Sequence, residues 1–86
     1  INQIQNKTLN VISCEINYYN MFELKEIRNN LNNVSIIENL KIKSLSYQNI
    51  QYEIYFYGDL NILFNLFDLN RLNIKDIDTQ CIIKLK

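Results

Sequence analysis

The chain has 86 residues, enough for one small domain, and its hydrophobic fraction of 48% favours a folded unit over a disordered one. Nine basic and nine acidic residues cancel, and no block of like charge exists that would attract nucleic acid or an anionic membrane at long range. The chain has no histidine and only two distant cysteines, which excludes Cys/His zinc sites and histidine-based catalysis within it.

The first predicted elements are a strand and a helix. Residues 1–8 are mostly polar and are expected to form a lead-in or linker, so that a single domain covers residues 9–86. Apolar residues alternate from Leu9 to Tyr19, which predicts a strand. Asn20 and Glu23 have the spacing of a helix N-cap and its capping-box partner. The apolar stripe of this helix is Leu24, Ile27, Leu31 and Val34.

A hairpin is predicted next. Residues Ile36–Tyr47 alternate until the pattern slips near Ser44, which indicates a strand with a bulge. Gln48 and Asn49 provide the turn, and Ile50–Tyr57 then alternates cleanly as the central strand. The apolar face of this strand is Ile50, Tyr52, Ile54 and Phe56.

A second helix and two extended segments complete the chain. Gly58, the only glycine, ends the central strand, and Asp59 is suited to cap a helix that ends near Asn70 or Arg71. The expected inner face of this helix is Leu60, Leu63, Phe64 and Phe67. A second apolar stripe consists of Ile62, Leu66 and Leu69. Leu72–Ile77 is predicted to be an extended return, and Gln80–Leu85 a final strand.

This order of elements predicts an α+β fold of the ferredoxin-like βαββαβ type, with a four-stranded antiparallel sheet and both helices on one face. The first and central strands are expected in the middle, which leaves Ile36–Tyr47 and the last strand at the edges. The first and last strands are then antiparallel neighbours, so Cys14 and Cys81 approach each other on the core side. Two buried free thiols are favoured over a disulfide, because sequence does not fix how two cysteines are oriented.

Two groups of residues are predicted to form an interaction surface. The sheet face opposite the helices carries Tyr19, Tyr55 and Tyr57. The second stripe of the later helix, formed by Ile62, Leu66 and Leu69, has no second layer in a lone domain to cover it. Bases stack on such a sheet face in RNA-recognition domains, but Gln51 and Glu53 stand where basic or aromatic residues would help. A protein partner, either another copy or a neighbouring domain, is therefore favoured over nucleic acid.

Enzymatic chemistry is not expected, since no nucleophile–base pair is visible. A metal or acid–base set of aspartates is explained more simply by a helix cap and by turn positions. The aspartates concerned are Asp59, Asp68, Asp76 and Asp78. No catalytic residue, cofactor or metal is predicted. No run of about eighteen apolar residues exists, so no membrane insertion is expected either.

Four stretches carry a resemblance to a known family. They are the helix with Phe22, Leu24, Ile27 and Leu31, the strand Leu40-Lys41-Ile42-Lys43-Ser44-Leu45-Ser46, the strand and cap Glu53-Ile54-Tyr55-Phe56-Tyr57-Gly58-Asp59, and the closing part with Leu63, Phe67, Leu72 and Ile74. From about Asn17 onward the chain resembles a C-terminal ferredoxin-like module of uncharacterised bacterial envelope proteins, a domain-of-unknown-function family. The resemblance implies a bacterial envelope location, often periplasmic, within a larger chain, and it transfers no catalytic residue.

Two functions from different classes follow from these observations. The first is a non-catalytic interaction or structural module of a larger protein, located in a bacterial envelope if the resemblance holds. The second is a small-ligand regulatory domain that acts as a dimer. The second function calls for a glycine-lined loop after the first strand, and the segment Tyr18-Tyr19-Asn20-Met21 contains no glycine. The first function is therefore favoured.

Overall fold

Seven regular elements form the domain. The computed structural model describes residues 8–77 and 80–85, so the predicted lead-in, apart from Thr8, and Asp78 lie outside the described residues. The elements are β1 (Leu9–Asn17), α1 (Met21–Asn32), β2 (Ile37–Ser46), β3 (Asn49–Tyr57), α2 (Leu60–Leu69), β4 (Leu72–Ile77) and β5 (Gln80–Leu85).

The strands form one five-stranded sheet in the order β2-β3-β1-β5-β4. β3 pairs antiparallel with both β1 and β2, β5 pairs parallel with β1, and β4 pairs antiparallel with β5. The prediction of an α+β fold is confirmed, whereas the prediction of a four-stranded antiparallel ferredoxin-like sheet is wrong. The last strand also lies inside the sheet, and the edges are β2 and β4.

The segment predicted as an extended return accounts for this difference. Leu72 is buried and Ile74 packs against the core, while Asn73 and Lys75 between and after them are exposed, so the segment is a strand with one inner face. β4 and β5 form a hairpin, and β5 lies between β4 and β1 in the sheet. The chain reverses direction between β4 and β5, which the predicted extended return did not include. β5 therefore runs parallel to β1, not antiparallel as predicted.

A single core lies between one face of the sheet and the two helices. The sheet contributes alternate residues of its three central strands, and their register places them on one face. The central members from the sheet are Cys14, Ile16, Ile50, Tyr52, Ile54, Phe56, Cys81 and Ile83. Leu24, Ile27 and Leu31 of α1 and Leu63 and Phe67 of α2 pack on them. Both helices therefore cover the same face, as predicted, and the other face is open.

Both predicted helix caps are present. The Asn20 side chain accepts a hydrogen bond from the Glu23 backbone N–H at 2.9 Å, and the Asp59 side chain accepts one from the Ile62 backbone N–H at 3.0 Å. The Glu23 carboxylate in turn accepts from the Tyr19 N–H at 3.0 Å. Each cap satisfies a backbone donor that a helix leaves unpaired in its first turn, which fixes where each helix begins.

Helix α2 is rotated relative to its predicted orientation. Leu63 and Phe67 are its buried residues, while Phe64 and Leu66 are half-buried on the two sides of that pair. Leu60, predicted on the inner face, is 43% exposed. The predicted inner face and second stripe thus share the contact with the core, because each successive residue of a helix turns by about 100° and the buried direction lies between the two stripes.

A disulfide joins Cys14 of β1 to Cys81 of β5, so the prediction of free thiols is wrong. The two residues are direct cross-strand partners in the parallel pair, and their Cα atoms are 4.6 Å apart. Both side chains are buried in the core. The predicted proximity of the cysteines is confirmed, and the parallel register supplies the close approach that sequence could not fix.

Gly58 links β3 to α2 with a backbone φ of 98°, a conformation that L side chains rarely adopt. A Cβ atom added there would meet nothing closer than Ile62 Cδ1 at 3.8 Å, which is ordinary van der Waals contact. Gly58→Ala is therefore expected to lower the free energy of unfolding by about 1–2 kcal/mol through backbone strain alone. Urea unfolding of the two proteins measures this change. An unchanged midpoint would contradict the strained conformation.

Candidate interaction surface

The structure separates the three tyrosines that were predicted to share the open sheet face. Tyr55 and Tyr57 lie on that face, half-buried, beside Val11 and Leu9 of β1. Tyr19 lies beyond the end of β1 and is 75% exposed. The ladder between β1 and β3 runs from the Leu9–Tyr57 pair to the Asn17–Asn49 pair, a distance of about 26 Å at about 3.3 Å per residue. Tyr19 therefore belongs to the opposite end of the sheet.

The aromatic end of the open sheet face is partly engaged within the chain. The Lys41 ammonium lies 5.2 Å from the centroid of the Tyr55 ring, within cation–π range. The Tyr55 hydroxyl donates a hydrogen bond to Glu53 Oε1 at 3.3 Å. Leu9 and Val11 beside the two rings are about half exposed, at 46% and 54%. Of the two rings, Tyr55 therefore already has partners within the chain.

The predicted stripe on α2 does not act as one surface. Leu66 is half-buried and packs against the core, whereas Ile62 and Leu69 are exposed. Ile62 and Leu69 are seven residues apart along the helix, so they lie on one outer face, about two turns from each other. Two separated side chains on a helix are an ordinary feature of a protein surface.

A further exposed apolar surface lies outside both predicted groups, between α1 and the edge strand β2. Cross-strand register puts three β2 residues on the helix side of the sheet, namely Leu40, Ile42 and Leu45, opposite Ile54, Tyr52 and Ile50. Ile42 is 54% exposed and Leu45 is 65% exposed, although their β3 partners are buried. The helix layer therefore ends before it reaches β2.

This surface continues into a cleft, which we term the α1–β2 cleft. It has a volume of about 380 Å³. Its lining comes from one side of α1, the α1–β2 connection, β2 and one β3 residue, as follows: Arg28, Leu31, Asn32, Val34, Ile37, Glu38, Asn39, Leu40, Ile42 and Tyr52. A second hollow follows the same side of α1 past Lys25 to Met21 and shares Arg28 and Asn32 with the cleft.

More exposed apolar side chains lie where β2 turns into β3 and where α1 begins. Tyr19, Met21, Phe22 and Tyr47 are each at least 70% exposed. The segment before α1 is joined to the β2–β3 turn by two hydrogen bonds: the Tyr18 N–H donates to the Gln48 carbonyl at 3.2 Å, and the Gln48 side chain donates to the Tyr19 carbonyl at 2.9 Å. Tyr19, the one predicted surface residue in this region, thus belongs with residues that sequence reasoning missed.

The sequence contained only one sign of this surface. The slip in alternation near Ser44 is a bulge, as predicted, and a second irregularity lies between Ile37 and Asn39. Alternation placed Leu40 and Ile42 on one face of the predicted strand and did not show how far that face is buried. Whether a helix covers that face depends on the width of the sheet, which the sequence did not reveal.

Within residues 8–77 and 80–85, no group of three or more acidic or cysteine side chains is placed to bind a metal ion. No polar or charged residue of the described part is buried. Neither α1 nor α2 is long and apolar enough to cross a membrane.

The row of Leu40, Ile42 and Leu45 consists of aliphatic side chains, and the cleft beside it carries the charged side chains of Arg28 and Glu38. Comparison of the chain with protein-family models, curated proteins and solved structures found no match, so the candidate surface rests on the physical arrangement of the described residues.

Proposed function

We propose that this chain is a non-catalytic protein-interaction module of a larger protein, and that it works in an oxidising compartment such as a bacterial envelope. The observation that carries the proposal is the row of Leu40, Ile42 and Leu45 on the helix side of the sheet, in which Leu40 is half-buried and both Ile42 and Leu45 are exposed. Large apolar side chains in such a position indicate a surface that a partner covers.

The energetics support a partner. Full burial of a Leu or Ile side chain contributes about 1.5–3 kcal/mol, and both Ile42 and Leu45 still expose more than half of their surface. Aromatic residues and Met are frequent at the centre of protein interfaces. Four exposed residues of these types lie at the β2–β3 turn and around the start of α1, namely Tyr19, Met21, Phe22 and Tyr47. A partner would thus gain a buried apolar centre without any rearrangement of the sheet.

The disulfide supports the proposed compartment. Cys14 and Cys81 are joined in the core of the domain. Disulfides persist in secreted, periplasmic and surface-exposed proteins and are rare in a reducing cytosol. The small size of the domain adds to this argument, because a chain of 86 residues buries a limited core and gains more from a covalent link.

The alternative, a small-ligand regulatory domain, has one observation in its favour. The α1–β2 cleft, at about 380 Å³, falls in the range of about 300–1,000 Å³ that ligand pockets occupy. Such pockets orient a ligand with a few convergent polar groups. The polar side chains that line the cleft are all exposed to solvent, so the interaction module is the better proposal; they are Arg28, Asn32, Glu38 and Asn39.

The proposal predicts that Leu45 contributes to contact and not to stability. Leu45→Lys is expected to change the free energy of unfolding by less than about 0.5 kcal/mol, as exposed positions do. Leu63→Lys is the matched control, and it should unfold the domain because it places a charge in the core. Chemical denaturation of both variants measures the difference. A loss of stability in Leu45→Lys comparable to that in Leu63→Lys would show that Leu45 serves the fold.

Contact itself is tested by photo-crosslinking in the cells that produce the chain. A photoreactive amino acid at position 45 should give one defined protein adduct, identified by mass spectrometry, and Ile42→Lys should abolish it. The same amino acid in place of Asn61, exposed on α2, is the control. Equal labelling from both positions, or none from position 45, would refute the interaction module.

A further inference from the structure

The shape of the helix layer defines what fits the α1–β2 cleft. Strands lie about 4.8 Å apart and a helix is about 10 Å wide, so one helix covers about two strands. Two helices cover about four strands of this five-stranded sheet, and Ile42 and Leu45 of the edge strand β2 remain exposed on the helix side. A third helix beside α1 would complete the layer.

A partner could also bind by adding a strand to the free edge of β2, but the features of that edge do not favour this mode of binding. β2 carries two register irregularities, between Ile37 and Asn39 and between Ile42 and Ser44. Lys41 and Lys43 are both exposed on the same strand. Bulges and lysines are the features by which natural edge strands resist pairing with another strand.

The length of the row agrees with a helix. From Leu40 to Leu45 the strand spans about 16.5 Å at about 3.3 Å per residue, which is close to the length of three turns of helix, about 16 Å. Apolar residues repeating every three or four positions on one side of such a helix would rest on Leu40, Ile42 and Leu45.

The charges of α1 define one flank of that helix. Lys25 and Arg28 are exposed and line the side of α1 that borders the cleft and its continuation. Neither of them forms an ion pair with another residue in the described part of the chain. Glu38 is the acidic residue of the cleft, and it lies on the β2 side. The wall formed by α1 is therefore cationic and complements carboxylates.

We infer that the α1–β2 cleft binds an amphipathic helix of a partner protein. The apolar stripe of that helix covers Leu40, Ile42 and Leu45, and its flank toward α1 carries Asp or Glu residues that pair with Lys25 and Arg28. This inference rests on the proposed interaction module and specifies its partner.

The test uses two synthetic helical peptides with the same leucine stripe, one with Glu and the other with Lys along one flank. Binding of each to the 86-residue chain is measured by fluorescence anisotropy. The Glu peptide should bind about tenfold more tightly than the Lys peptide, the effect of two or three exposed ion pairs. The preference should weaken as salt is added. The double variant Lys25→Glu/Arg28→Glu should reverse it, and Leu45→Lys should abolish binding of both peptides.

Four outcomes would overturn the inference. Equal binding of the two peptides would contradict the claim that the partner helix carries acidic residues toward α1. A preference for the Glu peptide that persists after the charge reversal would contradict the same claim. If neither peptide binds, the claim that the partner binds as an amphipathic helix is contradicted. A dimer of the chain in sedimentation, broken by Ile42→Lys, would make a second copy the occupant. In each case the interaction module still stands if position 45 crosslinks to a protein, so failure of the inference and failure of the proposed function are distinguishable.

Discussion

Replacing Phe56 by Ala is expected to lower the free energy of unfolding by about 3–5 kcal/mol, the usual cost of truncating a fully buried Phe. Phe56 lies on the inner face of β3 and is 1% exposed. The strand is held on both sides by β1 and β2, so the neighbouring backbone has little freedom to close the cavity. A domain of 86 residues has about 4–13 kcal/mol of stability in total. The variant should therefore be close to unfolded, as urea denaturation followed by circular dichroism would show.

The other phenylalanines provide a graded control, since the chain has four and each has a different environment. Phe67 is fully buried, Phe64 is half-buried, and Phe22 is 72% exposed. Their Ala variants should lose stability in the order Phe67, Phe64, Phe22. Phe22→Ala should cost almost nothing, because Ala is the better helix former. Equal losses for Phe56→Ala and Phe22→Ala would contradict the arrangement of the core.

Individual strands and helix caps could be predicted from the sequence because each depends on residues that are close together in the chain. The alternation of Ile50–Tyr57 predicted β3, and its apolar residues are all buried. Asn20 and Asp59 predicted the helix starts, and both accept the expected backbone hydrogen bonds. A strand period and a cap are each decided within a few residues, so one sequence is sufficient to find them.

The order of the strands in the sheet could not be predicted, because it depends on a hairpin between two short segments. Leu72–Ile77 was predicted as an extended return, and nothing within it indicated that it would pair with Gln80–Leu85. Once this hairpin forms, β5 fills the position next to β1 and becomes parallel to it. That single pairing changed the number of strands, the direction of the last strand and the identity of one edge.

The candidate surface was only partly predictable for the same reason. Tyr19 was identified, but as part of a face to which it does not belong. Leu66 was assigned to an exposed stripe, yet it packs against the core. Leu40 and Ile42 share one face in the alternation, yet Leu40 is half-buried and Ile42 is exposed. Ile42 and Leu45 of β2 are exposed because the sheet has five strands and the two helices do not extend over these two residues. The width of the sheet is a property of the whole fold.

Reducing the Cys14–Cys81 disulfide is expected to lower the free energy of unfolding by about 4 kcal/mol, from the entropy of closing a loop between residues 67 apart. Equilibrium unfolding in urea, with and without reductant, measures the change. The variant Cys14→Ala/Cys81→Ala is the control, because its midpoint should not respond to reductant. Thiol labelling of the unfolded, unreduced chain should modify neither cysteine. Two labelled thiols in that state would contradict the disulfide.

The loss should not be uniform across the sheet. β5 is joined to β1 by the pairs Cys14–Cys81, Glu15–Ile82 and Ile16–Ile83, so the covalent link lies within the junction between the β4–β5 hairpin and the other strands. β2 and β3 pair through a longer ladder that contains no cysteine. After reduction, hydrogen exchange should therefore accelerate first in the amides of β4 and β5. If the β2–β3 amides exchange as early, the disulfide stabilises the domain only through the unfolded chain, since a link that restricts the unfolded state alone weakens every strand alike.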